Sequence, residues 1–229
     1  QAGADWSVPS IPDVLSQLRS SSELAAAPLP AAAQSPRRPA QPKLLPVPLY
    51  QQKTDYSCGA AALLSVLRYW QAFNGGERDL YALLETTKDG TEPDKIETAA
   101  RTLGLSAQLR VGMSIDDLRA ALARSETVIL DIQAWREGPS ARLPWEDVWE
   151  DGHYVVLIGI EGGYAYFEDP VLDDSYAFMP LEELPRRWHD YEDRHGPIQR
   201  YFHAGIVISG KTPLANPAPP APAAHSAAS

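Results

Sequence analysis

The hydrophobic period of this chain changes once along its length, and that change limits the folds open to it. Up to about residue 126, apolar residues recur at helical spacing. Ala60, Leu63, Leu64 and Leu67 fall at i, i+3, i+4 and i+7 and predict a helix from near Cys58 to about Phe73, stopped by Asn74-Gly75-Gly76. Leu80, Leu83 and Leu84 mark a second helix. Ile96, Ala99, Ala100 and Leu103 mark a third, closed by Gly104. A fourth follows Ser114, whose hydroxyl can cap it with Asp117 three residues on. Beyond that point the pattern turns to short runs rich in Val, Ile, Tyr and Phe: Thr127–Ala134, His153–Ile160, Tyr164–Glu168, Ser175–Met179 and His203–Ser209. These read as strands of an antiparallel sheet, with Glu161-Gly162-Gly163 turning one hairpin. Helices first and strands later, without βαβ alternation, define an α+β chain. The stretch Leu44–Tyr50, with Pro46 and Pro48, suits an edge strand, and Gln51–Ser57 a loop.

Proline marks the domain limits. Of 21 prolines, seven lie in residues 1–43 and five in residues 212–229. Flanks this rich in Ala, Pro and Ser bury too little apolar surface to offset the entropy of ordering them. Residues 1–43 are expected to be a flexible segment and 212–229 a disordered tail, with one domain over 44–211. Ile11, Val14, Leu15 and Leu18 could form a short amphipathic helix within the first flank, docked on the domain or on a partner.

Charge and cysteine usage remove several function classes. A net charge of −10 disfavours nucleic-acid binding, which needs a basic face. No apolar run approaches the roughly 18 residues that cross a bilayer. One Cys in 229 residues excludes an internal disulfide framework and a zinc site built on several thiolates. Residue 1 is Gln, and the flanks are Ala/Pro-rich. With no disulfide framework, these features suit a bacterial periplasm after signal-peptide removal, the alternative being the cytosol.

The single thiol is either a small buried hydrophobe or a nucleophile. Cys58 stands where a loop meets a helix start, in Asp55-Tyr56-Ser57-Cys58-Gly59-Ala60-Ala61, where unpaired N–H groups stabilise a thiolate. Gly59 leaves room for a close approach. A thiolate nucleophile needs a base, and that base needs an orienting group. Of the five histidines, His225 lies in the tail, and His189 and His195 sit in a polar stretch and read as exposed. His153 and His203 each open an apolar strand. Only the strand after His153 folds back through a hairpin to end at a carboxylate, Asp169, ahead of Pro170. Both ends of an antiparallel pair meet at that edge, so Asp169 is expected beside His153. Taken singly, His153 could be a satisfied sheet-edge histidine and Asp169 a turn residue before proline.

The run Gln52-Lys53-Thr54-Asp55-Tyr56-Ser57-Cys58-Gly59-Ala60-Ala61, with Gly152-His153-Tyr154-Val155-Val156 and Asp169-Pro170 downstream, resembles the C39 family of cysteine peptidases over approximately Leu44 to Lys211. The resemblance implies a papain-like fold, an N-terminal helical half packed on an antiparallel β-sheet. It implies catalytic roles for Cys58, His153 and Asp169, with Gln52 supplying part of the oxyanion hole, and no metal or organic cofactor. The family is best known from the leader-cleaving domains of bacteriocin exporters, which read Asp-Cys-Gly where this chain has Ser57-Cys58-Gly59. This chain's form is similar to stand-alone C39-like proteases of the bacterial envelope, including those accompanying functional-amyloid secretion. The expected partners are a peptide or protein substrate and components of a secretion system. Two other readings stand beside the peptidase: a cell-wall peptide hydrolase, and a non-catalytic papain-like recognition module. Finally, Trp145-Glu146-Asp147-Val148-Trp149-Glu150-Asp151 reads as an exposed loop with two packed tryptophans, the alternative being a substrate wall beside the base.

Overall fold

In the computed structural model, which describes residues 43–193 and 196–215, the change of period becomes helices against a sheet. Helix α1 (Cys58–Tyr69) and the short α2 (Tyr81–Leu84) are followed by α3 (Pro93–Thr102) and α4 (Ile115–Ala123). The strands are β1 (Ser106–Arg110), β2 (Thr127–Gln133), β3 (Gly152–Glu161), β4 (Tyr164–Glu168), β5 (Ala177–Pro180), β6 (His189–Glu192), β7 (Gln199–Phe202) and β8 (Gly205–Ser209), with a one-turn helix α5 (Leu184–Arg187) before β6. Six of them form one antiparallel sheet in the order β1-β8-β2-β3-β4-β5, and β6 and β7 pair as a separate ribbon. The amphipathic helix read from Ile11 to Leu18, together with His195 and His225, lies outside the described residues.

The central strands β2, β3 and β4 are buried on both faces, and strand alternation assigns their residues between two cores. Tyr154, Val156, Tyr166, Ile129 and Ile206 pack under α1 and α3. Val155, Leu157, Phe167, Leu130 and Ile132 pack against α4, α5 and Trp188. Strand β2 is buried at all seven positions. One of these is Asp131, a carboxylate within an otherwise apolar run.

Three expectations are corrected. Helix α1 ends at Tyr69 rather than Phe73, because Gln71 turns left-handed (φ 52°) and Ala72 N–H returns to the Leu67 carbonyl at 2.9 Å. The segment after Lys43 is extended but joins no ladder. Pro46 and Pro48 have no N–H to give, and the backbone bond of Leu44–Tyr50 to the sheet runs from Leu45 N to Ile158 O at 2.8 Å. His203 does not open a strand: it sits in a left-handed turn (φ 52°), and β8 begins at Gly205. Strand β1 and the β6–β7 ribbon were not visible in the periodicity, because Ser106–Arg110 and His189–Glu192 are short and polar. Packing also continues past residue 211, where Leu214 N donates to Tyr69 O at 2.6 Å and its side chain meets the first core.

The β3–β4 hairpin carries the most consequential geometry. Gly162 and Gly163 both have positive φ (60° and 83°), the two-residue turn whose twist matches the strands it joins. The pairing shifts by one between Leu157 and Gly159, a β-bulge at Ile158. Below the bulge Val156 pairs with Glu168, so the next position sets Asp169 against Val155, on the face that His153 also shares by period two. Without the extra residue Asp169 would fall on the opposite face.

Candidate active site

Cys58 is the first residue of α1, preceded by Ser57, whose hydroxyl bonds Thr54 rather than capping the helix. The N-terminal N–H groups are thereby left to the thiol. The backbone N–H groups of Gly59 and Tyr154 both hydrogen-bond its sulfur, as does the His153 ring. Gly59 is required for this closeness: a Cβ there would stand 3.1 Å from Tyr154 Cδ2, 3.1 Å from Thr91 Cβ and 3.3 Å from Ile96 Cδ1. Its neighbours are thus side chains of the fold itself.

His153 lies near the start of β3, 2% exposed, and its Nε2 is 2.7 Å from Asp169 Oδ1. The same Oδ1 accepts the Val171 N–H at 3.0 Å, and Leu172 N closes the turn on Asp169 O at 2.9 Å. Asp169 is therefore held by its own turn before it meets the imidazole. With Nε2 turned to Asp169, Nδ1 is the ring nitrogen left for Cys58. The indole of Trp135, 38% exposed, lies over the His153 ring at 4.9 Å between centroids.

The electrostatics agree with an ion pair. Burial alone raises the Cys58 thiol and lowers the His153 imidazole, since each loses hydration of its charged form. The bonds among the three groups outweigh it. Cys58 is brought below its ordinary value by His153, and His153 is raised to about 10 by Asp169 and Cys58. Asp169, which burial would raise, is held low by His153. Each shift favours the charged form of its group: thiolate, imidazolium and carboxylate.

Gln52 arrives by a different route. Its N–H donates to Pro170 O at 2.8 Å, immediately after Asp169, and Tyr50 N donates to Glu168 Oε1 at 3.2 Å. Lys53 N donates to both Glu77 oxygens, at 3.1 and 3.3 Å. The loop before Cys58 is thus tied to the end of β4 and to the turn before α2. The Gln52 amide gives one proton to Thr54 O at 2.7 Å, which leaves its second.

Among the described residues no group of three His, Cys, Asp or Glu is placed to hold a metal ion. His189, read as exposed, is buried, with Nε2 2.8 Å from Val148 O and Trp149 against its ring at 4.5 Å. The two tryptophans of the 145–151 stretch pack away from the base. Trp145 is held between Arg136 and Arg187 (4.4 and 4.0 Å), and Trp149 against Tyr191, Phe202 and Arg200. Trp135, next to the expected strand Thr127–Ala134, is the aromatic that covers the imidazole. Nothing in its spacing singled it out.

A thiol at a helix start, an imidazole at the head of a sheet strand and a carboxylate across a hairpin define the papain-like class of thiol hydrolases. The Peptidase C39 family model matches residues 46–192, and the chain belongs to that family of peptidases. Among curated proteins it is 27% identical, over 149 residues, to the protein named Probable functional amyloid protease FapD of Pseudomonas aeruginosa; the match covers 62% of this chain and 57% of that one. The chain thus matches somewhat more than half of that relative's length. Three solved structures share the fold. A C39-like peptidase from Bacillus anthracis is 18% identical (TM-score 0.56, 76% of this chain and all of that one). The peptidase domain of Streptococcus ComA, a bifunctional ABC transporter of a quorum-sensing pathway, is 21% identical (TM-score 0.52, 72% and 99%). A double-glycine-motif protease from an AMS/PCAT transporter, solved with its leader peptide, is also 21% identical (TM-score 0.50, 76% and 96%). No helix of the described residues is long and apolar enough to cross a membrane.

Proposed function

We propose that this peptidase uses Cys58, His153 and Asp169 as a catalytic triad, with Gln52 in its oxyanion hole, to process an exported protein in the bacterial envelope. The supporting observation is the 2.7 Å His153–Asp169 bond on the ring whose other nitrogen is turned to the Cys58 thiol. The Cys58 thiolate attacks a peptide carbonyl. The charge that develops on the carbonyl oxygen is met by the Cys58 backbone N–H at the helix start and by the second Gln52 amide proton. His153 gives its proton to the departing amine as the C–N bond breaks, leaving a thioester. Water then attacks the thioester, His153 takes the proton of that water, and the carboxylic acid product leaves the regenerated thiol. Asp169 fixes the tautomer throughout. Trp135 over the imidazole keeps water from the His153–Asp169 bond.

The envelope setting and the link to secretion rest on the similarity to FapD and on the Ser57-Cys58-Gly59 form of the motif. The deciding experiment is a proteomic cleavage profile of the intact protein against its Cys58→Ala form, using secreted proteins in one arm and purified cell wall in another. New protein termini with the intact protein alone are the expected result. Release of cell-wall peptides without protein cleavage would favour a cell-wall hydrolase.

A further inference from the structure

Beside the thiol, on the face of the sheet that carries α1, stands a group of acids that the mechanism does not use. Asp131 is paired across the ladder with Tyr154, the residue whose N–H holds the Cys58 sulfur. Its carboxyl hydrogen-bonds Asp190 on β6, and Asp190 also accepts from Gln133 Nε2 at 3.2 Å. Asp190 and Glu192 lie two apart on β6, on one side of that ribbon, and both are partly exposed. The charged groups acting most strongly on Asp131, namely Asp190, Cys58 and Glu192, are all acidic. Burial and these neighbours push Asp131 well up, and burial raises Asp190 to about 6, so the recessed position of the pair disfavours both carboxyls being charged at once.

A second observation shows that the group is incomplete. Tyr154 is 4% exposed and Asp131 6%, yet the Tyr154 hydroxyl and Asp131 Oδ1 have no hydrogen-bond partner. The tyrosine hydroxyl feels Asp131, Glu192 and Asp190 together, which places it within the acidic group. Buried polar atoms left unmet cost about 1–3 kcal/mol each. Two of them within one acidic group, whose members Asp190 and Glu192 are partly exposed, match a donor that arrives from outside. The geometry points to a subsite in which Asp131 and Asp190, with the Tyr154 hydroxyl, take a lysine or arginine side chain of the peptide substrate close to the scissile bond. This rests on the peptidase reading above and names its substrate class. A long basic side chain supplies the several donors that Asp131 Oδ1, Asp190 and the hydroxyl can accept, and a charge opposite to that of the acids grouped there.

The test has two arms on the full chain. In the first, a positional peptide library is cleaved by the wild type, Asp131→Asn and Asp190→Asn. The expected result is a preference of about tenfold or more for Lys or Arg over Gln at one fixed position, falling to near unity in the variants. Absence of a basic preference in the wild type, or its survival in Asp190→Asn, overturns the proposal while leaving the peptidase intact. Asp190 is partly exposed, so its variant reads the subsite even where Asp131→Asn does not fold. The second arm needs no turnover: iodoacetamide alkylation of Cys58 is timed with N-acetyl-arginine amide or its neutral isostere, N-acetyl-citrulline amide. Slowing by the arginine compound alone, lost in Asp190→Asn, supports the subsite. Equal effects of the two compounds refute it. A wild type that cleaves nothing in the library sinks the peptidase reading separately.

Discussion

The thiol of Cys58 is the residue whose chemistry the surroundings alter most, and its behaviour can be read without knowing any substrate. An ordinary cysteine reacts with iodoacetamide around a midpoint of about 8.5. Here the midpoint should lie below that, and His153→Ala should return it to the ordinary value or above, because burial alone raises the thiol. Turnover should rise with pH through the thiol's lowered value and fall near 10, where His153 loses its proton. Cys58→Ala and His153→Ala should abolish cleavage while far-UV circular dichroism stays unchanged. Asp169→Asn should cost up to about 10⁴-fold in kcat, since an amide donor beside Nε2 favours the wrong tautomer. Gln52→Ala should cost about 10²–10³-fold in kcat with little change in KM. Cys58, His153 and Asp169 stood out in the chain because each sits at a landmark of local structure: a loop–helix junction, a strand start and a hairpin end before proline. Gln52 was suggested by the family resemblance alone. Trp135, Asp131 and Asp190 did not stand out, since their importance comes from neighbours on other strands.

At the scale of elements, the β3–β4 hairpin does the positioning, and a buried carboxyl in it offers a test. Glu168 closes β4, fully buried, and burial lifts it to about 8 although the Tyr50 N–H bonds it. The unfolded chain releases this proton near 4.5 and the folded protein near 8. Between those values the folded state holds more protons, so this group makes stability decline as pH rises from 4.5 to 8. Glu168→Gln keeps an acceptor for Tyr50 N and should flatten that decline, adding on the order of a few kcal/mol at pH 8 in urea titrations. A slope unchanged by the substitution would show that Glu168 ionises normally. The bulge is equally specific. Gly159 has Leu44 Cδ2 within 2.5 Å of where a Cβ would stand, so Gly159→Ala should displace the segment after Lys43 and lower the thermal midpoint by several degrees. The hairpin was readable from its Gly-Gly turn, but the bulge was not. A one-residue shift leaves no mark on a pattern in which both faces are apolar, and the prolines that suggested an edge strand are what kept Leu44–Tyr50 out of the ladder.

For the whole molecule, the division into helices and then strands was plain from the period, while the order of strands in the sheet was not. Strand β8 inserts between β1 and β2, and no local signal announces a pairing between Thr127 and Ile208, 81 positions apart. The same contrast of near and far contacts exists inside the proposed triad. Imidazole and carboxylate are 16 positions apart across one tight turn, whereas the sulfur comes from nearly a hundred positions upstream, beyond β1 and β2. Local pairings close quickly and distant ones late, because chain entropy opposes the larger loop. If Cys58 is the nucleophile proposed above, a freshly made chain should carry an ordinary, sluggish thiol until its two halves dock, and its power to cut peptides should be switched on by the last step of its own maturation. Pulse-alkylation during refolding should show Cys58 reactivity emerging after the hairpin's amides are already protected from exchange.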